Sequence, residues 1–139
     1  MNPPKPTKPL QRALLIVDHG TRSAEANAPL AELARTLAEV RPDWLVEHAH
    51  MELAEPDFET AIARLVADGA DEILVHLHFL GDGYHVRETL PRLIAKARER
   101  HAAIPIRVTL PLGRDPRIVE IVLDRMDLQS ASDRQSSKR

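Results

Sequence analysis

The sequence predicts an α/β domain built on a four-stranded parallel sheet. Three observations predict it: four short apolar runs of strand length, four segments with apolar residues at helical spacing, and alternation of the two along the chain. Such alternation calls for right-handed crossovers that lay helices against the faces of a parallel sheet. A chain of 139 residues supplies one such domain with a sizeable core.

The first run, Ala13-Leu-Leu-Ile-Val17, is apolar at every position, as expected of a strand covered on both faces. Leu30, Leu33, Ala34, Leu37 and Ala38 follow at helical spacing, and residues 44–51 read as a second strand. Phe58, Ala61, Ile62, Leu65 and Val66 form an amphipathic helical stripe, with Asp57 ahead of it as N-cap. Gly69 ends that helix, and residues 72–79 give the third strand. Leu90, Leu93, Ile94 and Ala97 mark the third helix, and residues 104–110 the fourth strand. Ile118, Ile121, Val122 and Met126 mark the last helix. Residues 1–9 are rich in Pro and Lys, and residues 128–139 in Ser, Gln and Arg without periodicity. Both are expected to be flexible tails flanking a folded domain over residues 10–127.

Composition narrows the chemistry. Hydrophobic residues at 43% and charged residues at 29% are ordinary for a soluble domain, and a net charge of −2 argues against general nucleic-acid binding. Cysteine is absent, which excludes disulfides, thiolate ligands and cysteine nucleophiles. Any metal must therefore be held by imidazole and carboxylate. No stretch resembles a signal peptide or the roughly 18 apolar residues of a membrane span, so a cytoplasmic protein without membrane partners is expected.

Parallel sheets bind ligands beyond the carboxyl ends of their strands. The first strand runs into Asp18-His19-Gly20-Thr21-Arg22, where Gly20 permits a sharp turn that leaves His19 at the strand end. The third runs into Leu80-Gly-Asp-Gly-Tyr-His85-Val-Arg87, which puts His85 near the start of a helix. Between them, Met51-Glu52-Leu53-Ala54-Glu55-Pro56 offers a carboxylate that completes a His/His/Glu set, a normal combination for a borderline divalent metal. Two His-x-His pairs, His48/His50 and His76/His78, each share one strand face by alternation. Helices should cover both faces, so four imidazoles there are unexpected. His50 and His78, nearest the strand ends, are expected to line the pocket. His101, in a helix-to-strand connection, is expected to be solvated.

In this order the motifs L-L-I-V-D-H-G-T-R, M-E-L-A-E-P, H-F-L-G-D-G-Y-H-V and P-L-G resemble the class II chelatases, the sirohydrochlorin cobalto- and ferrochelatases, over about residues 14–126. The resemblance implies a flavodoxin-like three-layer domain with His19, His85 and Glu52 as catalytic and metal-binding residues. Short members of that family look like single halves of two-domain enzymes and pair as homodimers. Two positions depart from the pattern: Asp18 replaces a small residue before the histidine, and Asp115 stands where a histidine is common.

The expected function is insertion of a divalent metal, cobalt or iron and by donor type also nickel, into sirohydrochlorin, with no permanent cofactor. A neutral imidazole can both bind the metal and accept a pyrrole proton. Arg22, Arg87 and Arg114 would clamp the substrate's carboxylates, with His50 and His78 beside them. Two rivals stand against this reading. One is a non-catalytic metal or tetrapyrrole carrier, and the other is a histidine phosphatase, whose opening motif sets a cation where Asp18 stands here.

Overall fold

The apolar run of β1 (Arg12–Asp18) becomes the inner strand of the sheet. Ala13, Leu15, Ile16 and Val17 have no exposed surface. The computed structural model describes residues 8–81 and 83–137, the side chains of His85 and of residues 129–137 excepted. β1 pairs in parallel with β2 (Trp44–His50) on one side and β3 (Glu72–Leu77) on the other. β4 (Ile106–Val108) adds to β3, giving the order β2-β1-β3-β4. Residues 1–7 of the expected N-terminal tail lie outside the described residues.

Strand alternation divides the apolar residues between two layers. Ala13, Leu15, Val17, Ile73 and Val75 join Phe58, Ile62 and Leu65 of α2 (Phe58–Ala67) and Leu90 and Ile94 of α3 (Tyr84–Arg100) in the main core. Ile16 faces the other way and packs with Leu30 and Ala34 of α1 (Ala24–Val40). Capping follows the sequence. Asp57 accepts the Thr60 N–H at 2.8 Å, and Ser23 accepts that of Ala26 at 3.2 Å, each meeting an N–H that the first turn leaves without a partner.

Two elements depart from expectation. β4 is three residues long where residues 104–110 were predicted: Pro105 supplies only a carbonyl, bonded by the Ile73 N–H at 2.9 Å, and Ile104 is drawn into a turn with His101. α4 (Arg117–Ser137) runs on as helix through much of the stretch expected to be an irregular tail. No Pro or Gly follows Pro116, and Leu, Gln, Ala and Arg favour the continuation.

α4 also leaves the sheet uncovered. No described α4 side chain joins either apolar core, and Val119, Ile121, Val122, Leu123 and Met126 are each at least half exposed. The expectation that helices blanket both faces therefore fails over β3, and His76 and His78 stand there half-buried.

Candidate metal centre

The carboxyl ends of β1 and β2 are tied together by backbone hydrogen bonds. Met51 N–H donates to Asp18 at 2.9 Å, and Glu52 N–H donates to the His19 carbonyl at 3.1 Å. This close approach requires Gly20, whose φ is +90° and where a Cβ would overlap the Glu52 carbonyl and come within 2.9 Å of His50 Cβ. The result is that His19 Nε2 lies 2.7 Å from Glu52 Oε1, with both side chains about half exposed. Glu55, the other carboxylate of the loop, turns away to accept the Asp57 N–H at 3.2 Å.

The structure thus brings two of the three expected ligands together. His85 is the second residue of α3, whose N-cap is Gly83, but its side chain lies outside the described residues. The loop leading to it is supported from the P-L-G motif: Gly113 N–H donates to the Phe79 carbonyl at 2.9 Å, and a Cβ at 113 would collide with the Leu80 backbone.

The expected substrate-binding residues do not converge on one hollow. Arg22 lines a cleft of about 330 Å³ between α1 and the 51–56 loop, together with Asn27, His48, His50 and Glu55. Arg114, on the 3-10 turn Leu112–Arg114, borders a separate hollow of about 470 Å³ with His76, Thr109 and Asp115. Arg87 is exposed on the first turn of α3. His50 borders the cleft as expected, 2% exposed, with its Nδ1 2.6 Å from Asp18 Oδ1, so one ring nitrogen is engaged at the end of β1. His78 is turned to His76, with His78 Nδ1 3.2 Å from His76 Nε2.

Both sequence departures find local partners. Asp18 points at buried His50, and Asp115 holds Arg117 through two contacts of 2.8 and 3.0 Å. The Arg117 hydrogen bonds lower the Asp115 carboxyl to about 2. The Asp18–His50 pair was not foreseen. Its signal was present in the parallel register that sets Asp18 opposite His50, but the partners are 32 residues apart in sequence. On half-buried β2 position 48, burial first and then the neighbouring His50 hold the His48 imidazole below the usual range. The phosphatase alternative loses its footing, because His19 meets the carboxylate of Glu52 and not a cation.

Comparison with known proteins decides the family. The CbiX family profile matches residues 13–129. The chain belongs to the CbiX family. A chloroplastic sirohydrochlorin ferrochelatase of Arabidopsis thaliana is 37% identical over 81% of the chain, which spans 50% of that relative. A sirohydrochlorin cobaltochelatase of Methanocaldococcus jannaschii is 30% identical over 81% of the chain and 96% of its own length. Among solved structures, a CbiX protein from Marinobacter aquaeolei superposes with a TM-score of 0.77 at 26% identity, covering 88% of this chain and 98% of that one. The sirohydrochlorin chelatase SirB from Bacillus subtilis in complex with cobalt gives a TM-score of 0.71 at 30% identity, covering 85% of this chain and 50% of that one. The chain therefore spans the length of the short CbiX relatives and about half of the long ones.

Proposed function

We propose that this CbiX chain inserts a divalent metal, cobalt or iron, into sirohydrochlorin. The observation that carries the reading is the His19–Glu52 pair, 2.7 Å apart and half exposed where two strands end. Imidazole nitrogen and carboxylate oxygen are both good donors to these metals, and an exposed contact of this kind can open to admit an ion between them. The names of the relatives, cobaltochelatases and ferrochelatases of sirohydrochlorin, support the same substrate.

Insertion exchanges two pyrrole N–H protons of the macrocycle for one divalent ion. His19 in its neutral form holds the metal, and as nitrogen takes the metal its ring is released to accept one proton. Glu52 offsets the ion's charge and offers the second acceptor. His85, the second residue of α3, is assigned as the third member of the set. Arg22, Arg87 and Arg114 ring the carboxyl end of the sheet and meet the carboxylates of the substrate, through charge-assisted bonds, from different sides.

A homodimer completes the site. The His19–Glu52 edge is open, whereas a flat macrocycle is held between walls, and the exposed apolar stripe of α4 supplies surface for a second copy. No helix among the described residues is long and apolar enough to cross a membrane, and we assign the work to the cytoplasm. The test is anaerobic absorbance of sirohydrochlorin with Co²⁺ in large excess over protein. Many equivalents of metallated product per chain are expected; at most one equivalent would identify a carrier and reject the enzyme.

A further inference from the structure

The imidazoles of His76 and His78, at the end of β3, have no part in the reaction above, and their geometry is specific. His76, on β3, and His78, the second residue on, just past the strand's end, lie on the side that α4 leaves open, with ring centroids 5.5 Å apart. His76 Nε2 and His78 Nδ1 are 3.2 Å apart. Two nitrogens each about 2.0–2.1 Å from one ion, at an angle between square and tetrahedral, are separated by about 2.9–3.4 Å. The pair is therefore already spaced as two ligands of a single metal ion.

We propose that His76 and His78 form a second divalent transition-metal site on this chain, distinct from His19–Glu52. No third His, Cys, Asp or Glu completes the group among the described residues, so water fills the other positions and the site is exchangeable. Two nitrogen donors and no carboxylate favour cobalt, nickel, copper and zinc over magnesium or calcium.

The protonation state suits this use. Burial, and then the proximity of His78, hold His76 below the usual imidazole range, so at neutral pH its lone pair is free of a second proton. In the metal-free chain one ring donates its N–H to the other. Binding needs both facing lone pairs, so that proton moves to the far nitrogen of the same ring. Each imidazole stays neutral and no net proton is released.

Position gives the site a purpose. His78 N–H donates to the Val17 carbonyl at 2.8 Å, immediately before Asp18 and His19. An ion held by the pair waits one strand away from the loop where insertion is proposed to occur. His76 also borders the open hollow beneath Thr109 and Pro111, which provides access from solvent. Of the two arginines bordering that hollow, Arg114 and Arg117, the latter is paired with Asp115.

The test counts metal ions without any tetrapyrrole. Calorimetric titration of the metal-free chain with Co²⁺ should give two equivalents. His76→Asn and His78→Gln should each remove one and leave the other, and His19→Ala should retain the equivalent that a further His78→Gln change abolishes. Circular dichroism and Tm verify that each variant is folded. If His76→Asn and His78→Gln, both folded, bind as much Co²⁺ as the wild type with the same affinity, the second site is overturned. That result would leave metallation at His19 untouched, just as loss of turnover in His19→Ala with both equivalents assigned would leave the second site intact.

Discussion

Asp18 Oδ1 lies 2.6 Å from Nδ1 of His50, and the histidine is 2% exposed while the aspartate is a quarter exposed. The bond fastens the last residue of β1 to the last residue of β2, directly beneath the His19 and Glu52 loops. A buried imidazole stripped of its acceptor forfeits more than the bond is worth in water. Asp18→Ala should therefore destabilise the fold by about 1–3 kcal/mol, read as a fall of several degrees in Tm. Asp18→Asn, which keeps an acceptor oxygen, should recover part of that loss. An unchanged Tm in both variants would mean that the pair contributes nothing.

Gly20→Ala should be more harmful than a surface glycine change. At φ +90° the new Cβ meets the Glu52 carbonyl, so either the backbone or the Glu52 loop must shift. Strain of this type costs about 1–3 kcal/mol, and the shift separates His19 from Glu52. Weaker Co²⁺ binding together with a lower Tm is expected. Gly69, whose φ is +100° but whose Cβ would meet nothing within 4 Å, is the control: its alanine variant should lose stability without losing metal.

Much of this was legible in the sequence. The apolar run 13–17 announces the inner strand, and the spacing around Phe58 announces α2 with its cap. The motifs bring His19 and Glu52 to one end of the sheet. Legibility stops where a property depends on two distant segments. Alternation shows that His48 shares a face with His50 and His76 with His78, but whether a helix covers the His76/His78 side depends on where α4 goes. An amphipathic stripe such as Ile118, Ile121, Val122 and Met126 records that a helix has an apolar side, and says nothing about which surface covers it. The Asp18–His50 bond likewise follows from the register of β1 against β2, which no local pattern encodes.

Stability should depend on pH through His48. Burial depresses its folded-state pKa below that of the unfolded chain. Between those two values the unfolded chain carries more protons, so stability rises with pH there and is fully present above the unfolded value of about 6.5. Tm should accordingly fall as pH is lowered from 7 toward 5. His48→Gln should flatten part of that decline, and a decline of the same steepness in the variant would remove His48 from the explanation.

The exposed stripe of α4 makes the proposed dimer testable without touching the site. Ile121→Glu with Met126→Glu places two charges on side chains already half exposed in the single chain, so the fold should survive. Light scattering should show the wild type at twice the chain mass and the variant at one chain mass. A variant that stays dimeric would move the interface elsewhere on the surface.

The most direct measurement is the initial rate of cobalt insertion into sirohydrochlorin, followed anaerobically by absorbance, for the wild type beside His19→Ala, Glu52→Gln and His101→Ala. If the His19–Glu52 pair carries the chemistry, His19→Ala should fall by about 100-fold or more, toward the uncatalysed rate. Glu52→Gln should fall less, because it keeps its shape and loses only charge, and His101→Ala should match the wild type. A folded His19→Ala variant that metallates at the wild-type rate would contradict the assignment of this site.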